Sequence, residues 1–212
     1  MHMTPTRRTR RTQAERTEET RTRILDAAVH VLSTRGYAGF RTAEVATQAG
    51  VSRGALTHHF PSRDELLVAV VADVFRRAAE LGRTRAGAVQ SVDDAIRSLL
   101  SDSRDFFFSE LFLVAMDLAI QGRLAQSGLD PVGKISADAR LPVEASWLNA
   151  LVAAGVAKDV AEDLLWLTNS IVRGLAVRRL WQDEPARFER LFLLWRRMVM
   201  AYLGSLRAKP AT

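Results

Sequence analysis

Residues 40–67 read FRTAEVATQAGVSRGALTHHFPSRDELL, and this stretch decides the fold. Two short helical patterns flank a Gly-containing turn, and a longer helix follows at once. Ala43, Val45, Ala46 and Ala49 give the first pattern a small apolar face. Gly50-Val51-Ser52 then turns the chain, and Arg53 to Phe60 makes the second pattern. Ser52 has the side chain that caps an open helix N-terminus, and Thr42 is expected to do the same for the helix before it. Two helices joined by a three-residue Gly turn make a helix-turn-helix, whose second helix can lie in the DNA major groove. A hairpin serving packing alone needs no polar face. Here Ser52, Arg53, Thr57 and His58 put hydrogen-bonding groups outward, while Ala55 and Leu56 supply the small and apolar sides and His59 is expected to pack internally.

Upstream, residues 1–12 (MHMTPTRRTRRT) lack hydrophobic periodicity and are expected to form a disordered basic arm. The first helix should run from about Gln13 to Thr34. Ile24, Leu25, Ala28, Val31 and Leu32 form one apolar stripe on it, and Gly36 stops it. Tyr37 and Phe40 read as core plugs between this helix and the next pair. The net charge is +6, and its distribution matters more than its size. Residues 1–23 hold seven Arg against three Glu, whereas residues 24–65 balance four Arg with four acids. Most of the positive excess therefore precedes the helix-turn-helix, which fits either an arm that contacts phosphates or a solvated tail.

Downstream, Ser62 is placed to cap a long fourth helix, on which Leu66, Leu67, Val70, Val71, Val74 and Phe75 repeat to about Leu81. Residues 82–90 read as a linker, with Ser91 as the next N-cap and a fifth helix ending near Asp102. A sixth helix, about 105–122, is apolar enough to expect burial on most sides, and residues 123–134 read as loop. Pro142 starts or kinks the seventh helix, which closes at Gly155. Two more follow, about 159–181 and 185–206, with Pro185 at a first helical position. No β-alternation or repeat interrupts this series. The expected architecture is all-α: a three-helix DNA-binding domain with the helix-turn-helix (13–65), joined by a long helix to an all-helical ligand-binding and dimerisation domain (66–212).

Composition bounds the function. No apolar run reaches the ~20 residues of a membrane span, and the Arg-rich N-terminus lacks the apolar core of a secretory signal. Zero cysteines exclude disulfides and thiolate metal sites and fit the cytoplasm. No nucleophile motif, phosphate-binding Gly loop or metal-ligand spacing supports an enzyme, and no cofactor is expected. The adjacent His58 and His59 point ~100° apart on a helix, a poor arrangement for one metal ion.

Residues 23–67 resemble the DNA-binding domain of the TetR (tetracycline-repressor-like) family of bacterial transcriptional regulators. The resemblance rests on ILDAAVHVLSTRGYAGFRTAEVATQAGVSRGALTHHFPSRDELL: the AA pair, GY, Thr42, VA..AGVS.G.L, HF, and a charged residue before a Leu pair. The remaining two thirds match only in length and helical layout. The resemblance implies a homodimer on a pseudo-palindromic double-stranded operator, with a small-molecule effector in the C-terminal domain altering the half-site separation. It places Thr42 at a phosphate, opens the recognition helix with Ser52, Arg53, Gly54 and Ala55, and puts His58 and Arg63 at the DNA backbone. Thr57 departs from the family's usual Tyr, which is longer. An effector-independent regulator and an activator fit the same residues.

Arg53 is the expected base reader, since its forked guanidinium can bridge guanine O6 and N7. Gly54 lets the backbone approach DNA closely. In the C-terminal part, Trp166, Asn169 and Arg173 share one helix face. They read either as the polar end of a ligand site walled by Phe107, Phe112, Met116 and Trp147, with Asp117 as another polar group, or as plain core. Leu167, Ile171, Gly174, Leu175 and Arg178 lie on a neighbouring stripe. In the last helix Phe188, Phe192, Trp195, Val199 and Tyr202 repeat every three or four residues. These two stripes read either as a two-fold four-helix interface or as burial within one subunit.

Overall fold

The computed structural model describes residues 12–125 and 131–208. In chain order these form α1 (Gln13–Gly39), α2 (Thr42–Ala49), α3 (Arg53–His59), α4 (Arg63–Gly87), α5 (Val92–Phe107), α6 (Glu110–Ala125), α7 (Pro131–Ala153), α8 (Lys158–Arg178) and α9 (Pro185–Ala208). No strand occurs among the described residues, so the fold is all-α. The basic arm expected over 1–12 lies, apart from Thr12, outside them. The chain divides into two compact units, Met1–Val70 and Val71–Thr212, and the continuous helix α4 crosses the division.

In the first unit, α1 opens with a reciprocal cap. Thr12 Oγ1 accepts from the Glu15 amide at 3.2 Å, and the Glu15 carboxylate accepts from the Thr12 amide at 2.7 Å. Ile24, Leu25, Ala28, Val31 and Leu32 are all buried, together with Ala27. Gly36 breaks the helix with a φ of 66°, which a side chain would disfavour. Phe40 is fully buried, whereas Tyr37 is half-buried. On α2, Val45, Ala46 and Ala49 are buried, but Ala43 is exposed because its turn position falls off that face.

The turn between α2 and α3 closes the helix end on the Ala46 and Thr47 carbonyls. Gly50 is left-handed at φ 64°, its amide donates to Thr47 O at 3.2 Å, and Val51 N donates to Ala46 O at 3.0 Å. This paired closure uses the orphan carbonyls of α2 and needs a residue that tolerates positive φ. Ser52 then caps α3, its Oγ accepting from Ala55 N at 3.1 Å. Ser52→Ala is expected to destabilise this unit by about 1 kcal/mol, measured by urea unfolding, with Ser52→Asp retaining most of the stability. An unchanged midpoint for the alanine variant would mean that the turn holds the helix without its cap. Ser62 caps α4 in the same manner, accepting from Glu65 N at 3.1 Å.

In the second unit, Ser91 caps α5, and the Gln90 backbone amide donates to the Asp94 carboxylate, holding that group below its ordinary titration range. The fifth helix continues to Phe107, past its expected end near Asp102, because Ala95, Leu99, Asp102 and Phe106 keep to one buried face. The sixth therefore starts later than expected, at Glu110. Burial of α6 on most sides is not observed. Leu111, Phe112, Leu113, Val114 and Met116 are half-buried, and Ile120 is exposed. Of the loop expected over 123–134, residues 126–130 lie outside the described residues. Pro131 already opens α7, which carries Pro142 in its interior. The core gathers around Trp147, with Leu99, Val143, Leu151, Leu165 and Val199. No described helix is long and apolar enough to cross a membrane.

Candidate functional site

The hairpin of α2 and α3 presents a polar, uncovered face. Leu56 is the buried anchor of α3, and Phe60 closes its end inside the unit. Arg53, Gly54, Thr57 and His58 are exposed, and Ala55 is half-buried. Among the described residues the Arg53 guanidinium has no hydrogen-bond or ion-pair partner, so its five donors stay available. Gly54 meets nothing but the Ser52 hydroxyl at 3.9 Å from a built Cβ, leaving open space outside the first turn. Thr57 is turned back on its own helix, its Oγ1 donating to Arg53 O at 3.0 Å. That hydroxyl keeps acceptor capacity, but its proton is used internally. His59 is half-buried with its ring 6.4 Å from that of Phe60, while His58 faces outward.

One expectation at this face needs correction, and one expected contact residue is engaged within the unit. Thr42 does not cap α2; it is the first helical residue, and Arg41 occupies the cap position without a side-chain bond to the helix. The Arg41 guanidinium instead donates to Ala38 O at 2.8 Å and Phe40 O at 3.1 Å, so it braces the preceding turn. The N-terminus of α2 is consequently left without a side-chain cap, a state that suits an external anion. Arg63 is half-buried. It donates to Tyr37 O at 2.9 Å and lies 4.4 Å from the Tyr37 ring centroid and 5.8 Å from that of Phe40. A planar cation on two aromatic rings is held by stacking as well as by its hydrogen bond.

In the second unit the residues expected around a ligand separate. Trp166 is 72% exposed and cannot wall an interior pocket, because Leu164, Leu165 and Thr168 take the inward positions of α8. Asp117 also lies on the outer side of α6. Phe107, Phe112, Trp147 and Asn169 do face the interior, Met116 is half-buried, and Arg173 sits at the rim with its guanidinium 5.7 Å from the Phe107 centroid. What connects them is a buried polar cluster absent from the sequence reading: Asp102, Ser103, Arg140 and Glu144. The Trp147 indole donates to Asp102 at 3.0 Å, Ser103 donates to Asn169 Oδ1 at 2.8 Å, and Asn169 donates to Glu144 at 3.2 Å. Arg140 lies over the faces of Phe106 and Phe107, 4.7 and 5.6 Å from their centroids. No cluster of three or more potential metal ligands occurs among the described residues.

On α8 and α9 the expected stripes divide between buried and exposed positions. Phe188, Phe192 and Val199 are buried within the subunit, because α9 turns that stripe onto its own core. Ile171, Leu175 and Trp195 are half-buried, whereas Leu167, Gly174, Arg178 and Tyr202 are exposed. The large apolar residues left outside on these helices are Trp166, Leu167, Leu193, Leu194, Met198, Tyr202 and Leu206. Trp195 Nε1 donates to Thr168 Oγ1 at 3.1 Å, which sets the two helices side by side.

Residues 24–70 match the family of bacterial regulatory proteins described as tetR family. The chain is 43% identical to the HTH-type transcriptional regulator CymR of Pseudomonas putida over 182 residues, spanning 86% of this chain and 90% of that protein. It is also 46% identical over 63 residues to the regulator SrpR of Pseudomonas putida, covering 30% of this chain and 29% of SrpR. Among solved structures, a TetR transcription regulator from Haloarcula marismortui ATCC 43049 superimposes with a TM-score of 0.62 at 19% identity, covering 89% of this chain and 98% of that one. A transcriptional regulator from Rhodococcus sp. Rha1 gives 0.61 at 24% identity, with 87% and 96% covered. These two share the fold.

Proposed function

The chain belongs to the TetR family of DNA-binding transcriptional regulators, and from that premise we propose a homodimeric repressor that a small effector releases from a pseudo-palindromic operator. The observation that carries this reading is the exposed N-terminal turn of α3. There Ser52 fixes the helix start and Arg53 projects an unpaired guanidinium beside Gly54. In a two-fold dimer the two recognition helices enter successive major grooves about 34–36 Å apart. Arg53 reads a base edge, while the open end of α2 at Thr42, the Ser52 turn and His58 hold phosphates. Thr57 contributes an acceptor at most, and Arg63 supports the interface by holding Tyr37 in place.

The outward apolar face of α8 and α9 supports the dimer, and the interior of the second unit supports the effector site. Because α4 is continuous across the division between units, it is the covalent route by which effector occupancy changes half-site spacing. An effector shifts that equilibrium by no more than its differential affinity for the two spacings.

Operator selection from random DNA, followed by titration, tests the reading. Arg53→Ala is expected to reduce discrimination between operator and random DNA by about 1–3 kcal/mol per half-site. Equal losses on both DNAs would assign Arg53 to a phosphate instead. Failure of the unmodified protein to enrich any two-fold sequence would sink the operator reading altogether.

A further inference from the structure

The least satisfied charged group in the described core is Arg140. Its side chain is 11% exposed, yet every polar contact it makes is long: 3.4 Å to Asp102, 3.4 Å to Asn169 Oδ1 and 3.7 Å to Glu144. Its Nε is buried with no hydrogen-bond partner. The reason is competition for acceptors. Asp102 takes a shorter bond from the Trp147 indole, Asn169 Oδ1 from Ser103, and Glu144 from the Asn169 amide. Each acceptor near Arg140 therefore makes its shorter bond to another donor. A buried guanidinium left with long contacts lacks an acceptor, and the strongest acceptor for a planar fork is a carboxylate.

The surroundings point the same way. Arg140 rests on Phe106 and Phe107, and Phe107 and Phe112 meet edge to face at 4.9 Å. Arg173 approaches the Phe107 ring from α8 and has no acidic partner among the described residues. Two cations thus flank one aromatic cluster. By contrast, the open groove of about 450 Å³ near Phe108 has its cations engaged, Arg104 by Glu189 and Arg179 by the Phe108 carbonyl at 3.1 Å. Beside this cluster Phe112 and Met116 of α6 are only half-buried, so the aromatic surface next to Arg140 is not sealed from solvent on that side.

We infer that the effector is an organic monoanion, a carboxylate on a compact apolar body, whose two oxygens complete the hydrogen bonding of Arg140 while its body lies on Phe106, Phe107 and Phe112 and Arg173 adds charge at the rim. This rests on the ligand-responsive reading above and narrows it, since a purely apolar effector leaves Arg140 unsatisfied. Binding also gives Arg140 a reason to leave Asp102, which Arg85 near the end of α4 contacts at 3.7 Å.

The test uses the full-length protein on its selected operator, with benzoate, phenylacetate and octanoate each set against its neutral amide. The carboxylates are expected to release the operator and raise the melting temperature at concentrations about 10- to 100-fold below their amides, the ratio expected for one charged hydrogen-bonded contact. Arg140→Gln is expected to remove that preference while keeping operator affinity, and Arg173→Gln to weaken it several-fold. Amides acting as well as carboxylates on the unmodified protein overturn the inference, whether or not Arg140→Gln folds. Release by neutral or cationic compounds alone overturns it too, yet leaves effector response standing. An operator complex that no anionic, neutral or cationic compound dissociates overturns the effector reading itself.

Discussion

Gly174→Trp, and separately Leu194→Glu with Met198→Glu, are expected to convert the protein to monomers in light scattering and to weaken operator binding by roughly 10²- to 10⁴-fold, the advantage lost when two linked half-sites bind independently. The two variants reach this result by different routes. A Cβ built at Gly174 meets no atom within 4 Å, so the subunit itself accommodates the larger residue, and only a closely approaching partner helix would be pushed away. Leu194 and Met198 are 45% and 55% exposed, so their replacement removes little from the subunit's own core. In a two-fold interface each new glutamate faces its own symmetry mate or an apolar partner, and an unpaired charge placed there is strongly unfavourable. Monomeric soluble chains rarely leave an apolar patch as broad as Trp166, Leu167, Leu193, Leu194, Met198 and Tyr202 uncovered. Dimers of unchanged mass that still hold the operator would remove this face from the interface.

The helix-turn-helix was legible because its signals are local. A left-handed Gly50, a capping Ser52 and a buried Leu56 need only a few neighbouring residues to act, and the spacing between them is the motif. Arg63 was harder to place, since its position depends on the Tyr37 carbonyl and ring, 26 residues away. In the second unit the difficulty has a different source. Helix α9 carries two apolar stripes, Phe188-Phe192-Trp195-Val199 and Leu194-Met198-Tyr202, and periodicity alone does not say which one the subunit buries. The first stripe is the more aromatic and fills the core; the second, about a quarter-turn round the helix, is left outside. Trp166 raised the same ambiguity on α8. The buried polar cluster did leave a trace, because Asp102 interrupts the apolar series Ala95, Leu99, Phe106 on the inward face of α5. A carboxylate in that position requires partners, and these are Trp147 and Arg140 of α7, 45 and 38 residues away in sequence, with Arg85 of α4 at 3.7 Å. Local reading finds such a residue without finding what satisfies it.

Asp102→Ala is expected to cost the folded protein about 3–5 kcal/mol, the range for breaking a buried charged pair by removing one member. Asp102 is 3% exposed and accepts from the Trp147 indole at 3.0 Å while drawing Arg140 and Arg85 to 3.4 and 3.7 Å. Alanine leaves the indole N–H without its acceptor and leaves Arg140 with still less opposing charge. It also opens space beside Gly82, whose backbone packs so closely that a built Cβ would lie 3.0 Å from the carboxylate. Asp102→Asn separates these contributions. The amide oxygen can still accept from Trp147 and fill the space, so its loss should be smaller and come mainly from the missing charge beside Arg140. Adding Arg140→Met to Asp102→Ala removes the stranded cation and should recover part of the loss, giving a coupling of about 0.5–3 kcal/mol between the two sites. Urea unfolding at fixed protein concentration measures the unmodified protein, Asp102→Ala, Asp102→Asn, Arg140→Met and the double variant on one scale, since the stability of any dimer depends on concentration. If Asp102→Ala cost no more than a surface substitution, about 0.5 kcal/mol, the cluster would not be holding α5 to α7. The same cycle also bears on the ligand site. A strong Asp102–Arg140 coupling means that an anion must compete with Asp102 for the guanidinium, whereas a weak one, which the 3.4 Å separation favours, leaves Arg140 free to prefer a ligand carboxylate.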